Sequence, residues 1–69
     1  MKIKKEHFEI LKVGAELHKR FLQKTMNGIL WTSGNFAWKF ATLTEAEAEA
    51  SEHENVSIIR VSENGWEQV

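Results

Sequence analysis

The chain has 69 residues, room for one small domain (1–69) whose core buries only about 60% of the unfolded surface. The absence of cysteine excludes a disulfide framework, a thiol nucleophile and a cysteine-based zinc site, and no apolar run approaches membrane-spanning length. The net charge of −1 conceals a gradient: seven Lys/Arg against three Glu in residues 1–24, and one Arg against seven Glu in residues 45–69.

Residues 5–25 read as an amphipathic helix. Phe8, Leu11, Ala15 and Leu22 fall on one seam, and Ile10, Gly14, Leu17 and Phe21 on the next. Lys12, Glu16, Lys19, Arg20 and Lys24 take the exposed positions. Asn27-Gly28 supplies a left-handed stop. Gly14 costs such a helix roughly 1 kcal/mol relative to Ala, and Lys4 and Lys5 make a poor N-cap.

Residues 29–41 read as a β-hairpin turning at Gly34-Asn35. That register pairs Ser33 with Phe36, Trp31 with Trp38 and Ile29 with Phe40, leaving a bulky face to pack on the first helix. Residues 42–54 read as a second helix with two candidate capping boxes, Thr42 with Glu45 and Thr44 with Glu47. Leu43, Ala46 and Ala50 share its inner face, and Glu45, Glu49 and Glu52 the opposite one. Residues 56–69 read as a second hairpin turning at Asn64-Gly65. A type I′ turn and a type I turn with a glycine bulge both fit, and they send Trp66 to different faces. The expected fold is α+β: a small α-β-β-α-β-β domain, its antiparallel sheet covered by helix.

The residue inventory points away from catalysis. The chain has no Cys, Asp or Tyr, no Gly-x-Ser-x-Gly elbow and no glycine-rich phosphate loop, so no enzymatic activity and no cofactor are expected. No metal site is expected either. On a helix, His7 and His18 would lie about 16 Å apart along the axis, and His53 with Glu49 offers only two ligands. The aromatic hairpin face resembles a base-stacking platform, but the first helix needs it as core.

Two charged surfaces remain. Lys2, Lys4, Lys5, Lys12, Lys19, Arg20 and Lys24 form a basic patch able to touch phosphates. Glu45, Glu49 and Glu52 form an acidic column, with Glu47 and Glu54 beside the helix's apolar face and Glu63 and Glu67 on the last hairpin. Such carboxylates suit a partner's Arg/Lys patch. The plainest alternative is that the basic and acidic ends lie side by side and neutralise each other.

The strand at 36–41, the helix opening Thr42-Leu-Thr-Glu-Ala and the strand Val56-Ser-Ile-Ile-Arg-Val resemble a layout shared by small phage host-takeover proteins. These include anti-CRISPR proteins and inhibitors of host transcription. The resemblance covers about half the chain and rests on layout, with no diagnostic motif. It implies stoichiometric, non-catalytic binding to a host protein or ribonucleoprotein complex in the bacterial cytoplasm, often through acidic surface that competes with nucleic acid. The basic first helix departs from an all-acidic mimic.

The expected function is therefore a protein-binding module: a phage or mobile-element inhibitor that blocks a nucleic-acid-binding host complex. Glu45, Glu49, Glu52, Glu63, Trp66 and Glu67 are the expected partner-binding residues. The alternative is a small nucleic-acid-binding or regulatory protein acting through Lys12, Lys19, Arg20 and Lys24. A third expectation is a subunit that dimerises through an exposed sheet edge or leftover apolar surface, so monomer and homodimer both stay open. Neither a signal peptide nor a membrane partner is expected.

Overall fold

The computed structural model describes residues 5–69. Lys2 and Lys4 of the basic patch lie outside the described residues. Five strands form one antiparallel sheet: β1 Glu6–Lys12, β2 Phe21–Thr25, β3 Gly28–Thr32, β4 Val56–Ser62 and β5 Gly65–Gln68. Their spatial order is β3-β2-β1-β4-β5. Among the described residues the one α-helix is α1, Leu43–Ala50. The α-β-β-α-β-β reading is thus overturned. The order is β-β-β-α-β-β, a mostly antiparallel sheet carrying one short helix.

Residues 5–25 are not helical, and the reason is visible in β1. Phe8 and Ile10 are buried, while His7 and Glu9, which alternate with them, are only partly buried, the period of two of a strand. Gly14, at φ 84°, takes the left-handed conformation after the strand ends. Arg20 then donates from Nε (2.9 Å) and Nη2 (2.7 Å) to the Ala15 carbonyl, folding the connection into a compact loop with a 3-10 turn at Leu17–Lys19. Helical periodicity failed here because apolar residues on both faces of a strand also satisfy spacings of three and four.

The hairpin over 29–41 is replaced as well. Trp31 pairs with Leu22 and Ile29 with Lys24, so β3 belongs to β2. The Asn27-Gly28 turn closes this shorter hairpin, with Gly28 at φ 121°. Gly34-Asn35 lies in a 3-10 turn, Gly34–Phe36, which leaves Phe36 exposed. Residues 38–40 then fill the gap where β1 and β2 part after Leu11↔Phe21. The Trp38 N–H reaches the Leu22 carbonyl at 2.9 Å, and Phe40 and Phe8 exchange two bonds of 2.8 Å.

Thr42 is the N-cap of α1, and the capping box is the one with Glu45. The Thr42 hydroxyl accepts from the Glu45 N–H, and the Glu45 carboxylate accepts from the Thr42 N–H, both at 3.2 Å. The helix ends with Ser51 as C-cap, short of residue 54. In the β4–β5 hairpin the loop is Glu63-Asn64, and the positive φ (118°) falls on Gly65 rather than Asn64, which excludes a type I′ turn centred on Asn64-Gly65.

Directly paired residues share a sheet face, so the registers sort the side chains. Phe8, Ile10, Leu22, Trp31, Val56 and Ile58 face α1 and meet Phe40, Leu43, Ala46 and Ala50 there. Leu11, Phe21, Leu30, Ile59, Val61 and Trp66 lie on the opposite face, which α1 does not cover.

Candidate functional site

The uncovered face is unusually apolar for a surface. Leu11, Phe21, Ile59, Val61 and Trp66 surround a hollow of about 350 Å³, with Leu17 brought over it by the Arg20-braced loop. Glu9 and Arg20 give its polar rim. Ile59 at its floor is 6% exposed, whereas Leu17 (68%) and Trp66 (70%) stand open to solvent. Four strands and one loop therefore build an apolar concave strip with a large aromatic at one side.

The acidic residues occupy a different place. Glu45, Glu49 and Glu52 line a cleft between α1 and residues 38–41, together with Trp38 and Lys24. Two of the three are already engaged. Glu45 closes the capping box. Glu49 accepts from His53 at 2.9 Å and pairs with the Lys24 ammonium at 3.2 Å. The His53 hydrogen bond, with help from Lys24, holds the Glu49 carboxyl below its usual range, while burial works the other way. Glu52 is exposed.

Glu63, Trp66 and Glu67 do not join this column. Glu63 sits in the β4–β5 turn. Glu67 accepts from Arg60 Nη1 at 2.8 Å on the helix-facing side of the sheet. Trp66 faces the other way, into the hollow. The six expected partner-binding residues thus divide between two faces of the molecule.

The basic residues are similarly dispersed. Lys12 lies 4.7 Å from the centre of the Trp31 ring, and Lys24 lies over Phe40 at 5.3 Å while paired to Glu49. Arg20 is spent on the Ala15 carbonyl, and Lys19 is exposed in the 3-10 turn. They do not form the helical stripe expected of them, because the helix is a strand, a loop and a second strand. The basic and acidic ends do meet, through Lys24–Glu49 and through Arg60, whose Nε lies 3.9 Å from Glu6.

Sequence reasoning missed Leu11, Leu17, Phe21, Ile59 and Val61 as surface. The available signal was β1 itself, where Leu11 breaks the alternation and falls opposite Phe8 and Ile10. Among the described residues, no group of three or more His, Asp or Glu is placed to hold a metal ion. Nor is any helix among them long and apolar enough to cross a membrane. No protein family, curated protein or solved structure matches the chain.

Proposed function

We propose that this chain is a non-enzymatic protein-binding module that docks its partner on the uncovered sheet face. One observation carries the reading: the open hollow of Leu11, Leu17, Phe21, Ile59, Val61 and Trp66, on a sheet whose other face is packed. Engagement of the Ser51 and Ser62 hydroxyls in local structure supports the non-enzymatic part. Ser51 donates to the Ala48 carbonyl, and Ser62 accepts from the Asn64 N–H.

The narrower form of the proposal is an inhibitor of a nucleic-acid-binding host complex. Its support is the layout resemblance and the exposed Glu52 beside the acidic cleft. Glu49 contributes little to it, because Lys24 and His53 already hold that carboxylate. Nucleic-acid binding through Lys12, Lys19, Arg20 and Lys24 has less behind it, since Lys24 and Arg20 are committed within the molecule.

The test is capture of partners from nuclease-treated bacterial lysate by three proteins: the unaltered chain, a Trp66→Ala variant and a Glu45→Lys/Glu52→Lys double variant. Trp66 as the exposed aromatic anchor predicts a loss of about 30-fold in affinity for the captured partner in the first variant. Equal capture by Trp66→Ala would sink the face assignment. Loss in the Glu double variant alone would move the site to the cleft. Capture abolished by nuclease treatment would favour the basic residues.

A further inference from the structure

β3 is an edge strand of an uncommon kind. Its sequence Gly-Ile-Leu-Trp-Thr carries neither charge nor proline, and Ile29 and Leu30 are 39% and 50% exposed. Natural edge strands usually carry a lysine, a proline or a bulge that discourages pairing with another chain.

The backbone phase of this edge follows from one hydrogen bond. The Leu22 carbonyl accepts from Trp38, on the β1 side of β2. Backbone groups in an antiparallel ladder alternate sides, so Leu22↔Trp31 is a non-hydrogen-bonded pair. The N–H and C=O of Trp31 therefore point outward, and two residues earlier those of Ile29 do the same.

From this edge we propose that two copies of the chain pair through β3, antiparallel about a two-fold axis at Leu30, giving one continuous ten-stranded sheet. Ile29 and Trp31 are spaced so that each exchanges both backbone bonds with the other residue of the second copy. Their side chains then form two aromatic–β-branched cross-strand contacts, a favourable pairing. Leu30 meets its own copy in the close, non-hydrogen-bonded position on the uncovered face. The second copy is the occupant because the edge is complementary to itself, in backbone phase and in side chains, and contains no charge to repel its twin.

The opposite edge explains why assembly stops at two. Ser62↔Gly65 is the pair next to the turn, and Val69 N–H reaches the Ile58 carbonyl, so the outward groups of β5 belong to Trp66 and Gln68. Self-pairing there would centre on Glu67 and oppose two carboxylates directly, which is unfavourable. An isologous contact at β3 leaves neither β3 edge free, so the assembly is closed. The proposal is independent of partner docking, since Leu30 does not line the hollow.

The experiment is sedimentation of the 69-residue chain from about 10 μM to about 1 mM, a range suited to an interface below about 1,200 Å². The mass is expected to double with concentration. Leu30→Lys and Leu30→Glu each place like charges on the axis and should weaken association by about 100-fold or more. Mixed in equal amounts, the two variants should recover the dimer, which an unfolded variant could not do. Amide exchange at Ile29 and Trp31 should slow as concentration rises, while that at Leu30, bonded within the sheet, should not change. A chain that stays monomeric to 1 mM overturns the proposal. So do Leu30 variants that associate as well as the unaltered chain, a mixture that stays monomeric, and a ladder of species larger than a dimer.

Discussion

Glu49 ties three elements together. It sits on α1, takes a hydrogen bond from His53 after the helix, and pairs with Lys24 of β2. His53 in turn presents its ring edge-on to Trp31 of β3, centroids 5.5 Å apart. The lowered pKa of Glu49 has a stability consequence whose sign is fixed. A carboxyl depressed in the folded state contributes stability above its unfolded value and loses it as pH falls through the folded one. Glu49→Gln should therefore lower the melting temperature at neutral pH, by roughly 2–8 °C for a solvent-screened pair worth about 0.5–1 kcal/mol. In acid below the ordinary carboxylate range, the two proteins should melt together. Thermal denaturation followed by circular dichroism at both pH values checks this, and an equal deficit at both would show that the charge is not what matters.

At the scale of elements, the two hairpins use one piece of turn chemistry twice. Thr25-Met26-Asn27-Gly28 and Ser62-Glu63-Asn64-Gly65 each place a hydroxyl residue before the loop and a positive-φ glycine after it. Each hydroxyl accepts from the backbone N–H of the Asn two residues on. A Cβ at Gly28 or Gly65 would meet nothing within 4 Å, so substitution there tests the backbone alone. Gly28→Ala and Gly65→Ala should each cost about 1–2 kcal/mol in denaturant unfolding, the penalty of left-handed backbone. The same dipeptide is legible in the sequence both times, but Asn27-Gly28 reads as a helix stop because the residues before it also fit a helical wheel. The α1 capping box and its Leu43, Ala46 and Ala50 face were also legible, being local. What could not be read was the pairing of β1 with β4: Ile10 lies opposite Ile58, and nothing near either residue announces the other. Without that partner, Phe8, Ile10, Leu11 and Leu22 fit a helical wheel as well as two strands. The candidate site failed to emerge for the same reason, since Leu11, Phe21, Ile59 and Val61 form a surface only once the central ladder exists.

Over the whole molecule, stability should be graded outward from that ladder. β1 and β4 share seven residue pairs and hold the buried Phe8, Ile10 and Ile59 between them. β5 is four residues long and exposed throughout, and α1 buries only Ala46 completely. Amide hydrogen exchange is expected to be slowest in β1 and β4 and fastest in β5 and α1, because local opening follows buried contact. Uniform protection across the strands would contradict this. The charge gradient along the chain is folded back on itself by the same architecture, with Lys24–Glu49 on one side of the central strands and Arg60, between Glu6 and Glu67, on the other.

The direction of the strands has a mechanical consequence. β4 runs against β1, so Glu6 and Val56 lie at opposite ends of the seven-pair ladder between them. Tension applied between those two residues slides the strands past one another, so the rungs of the central ladder bear the load together instead of parting one at a time. A domain with so small a core thereby resists stretching along its length far better than peeling from its side, and a tether at Ser62, paired with Glu6, would unzip what a tether at Val56 would only shear.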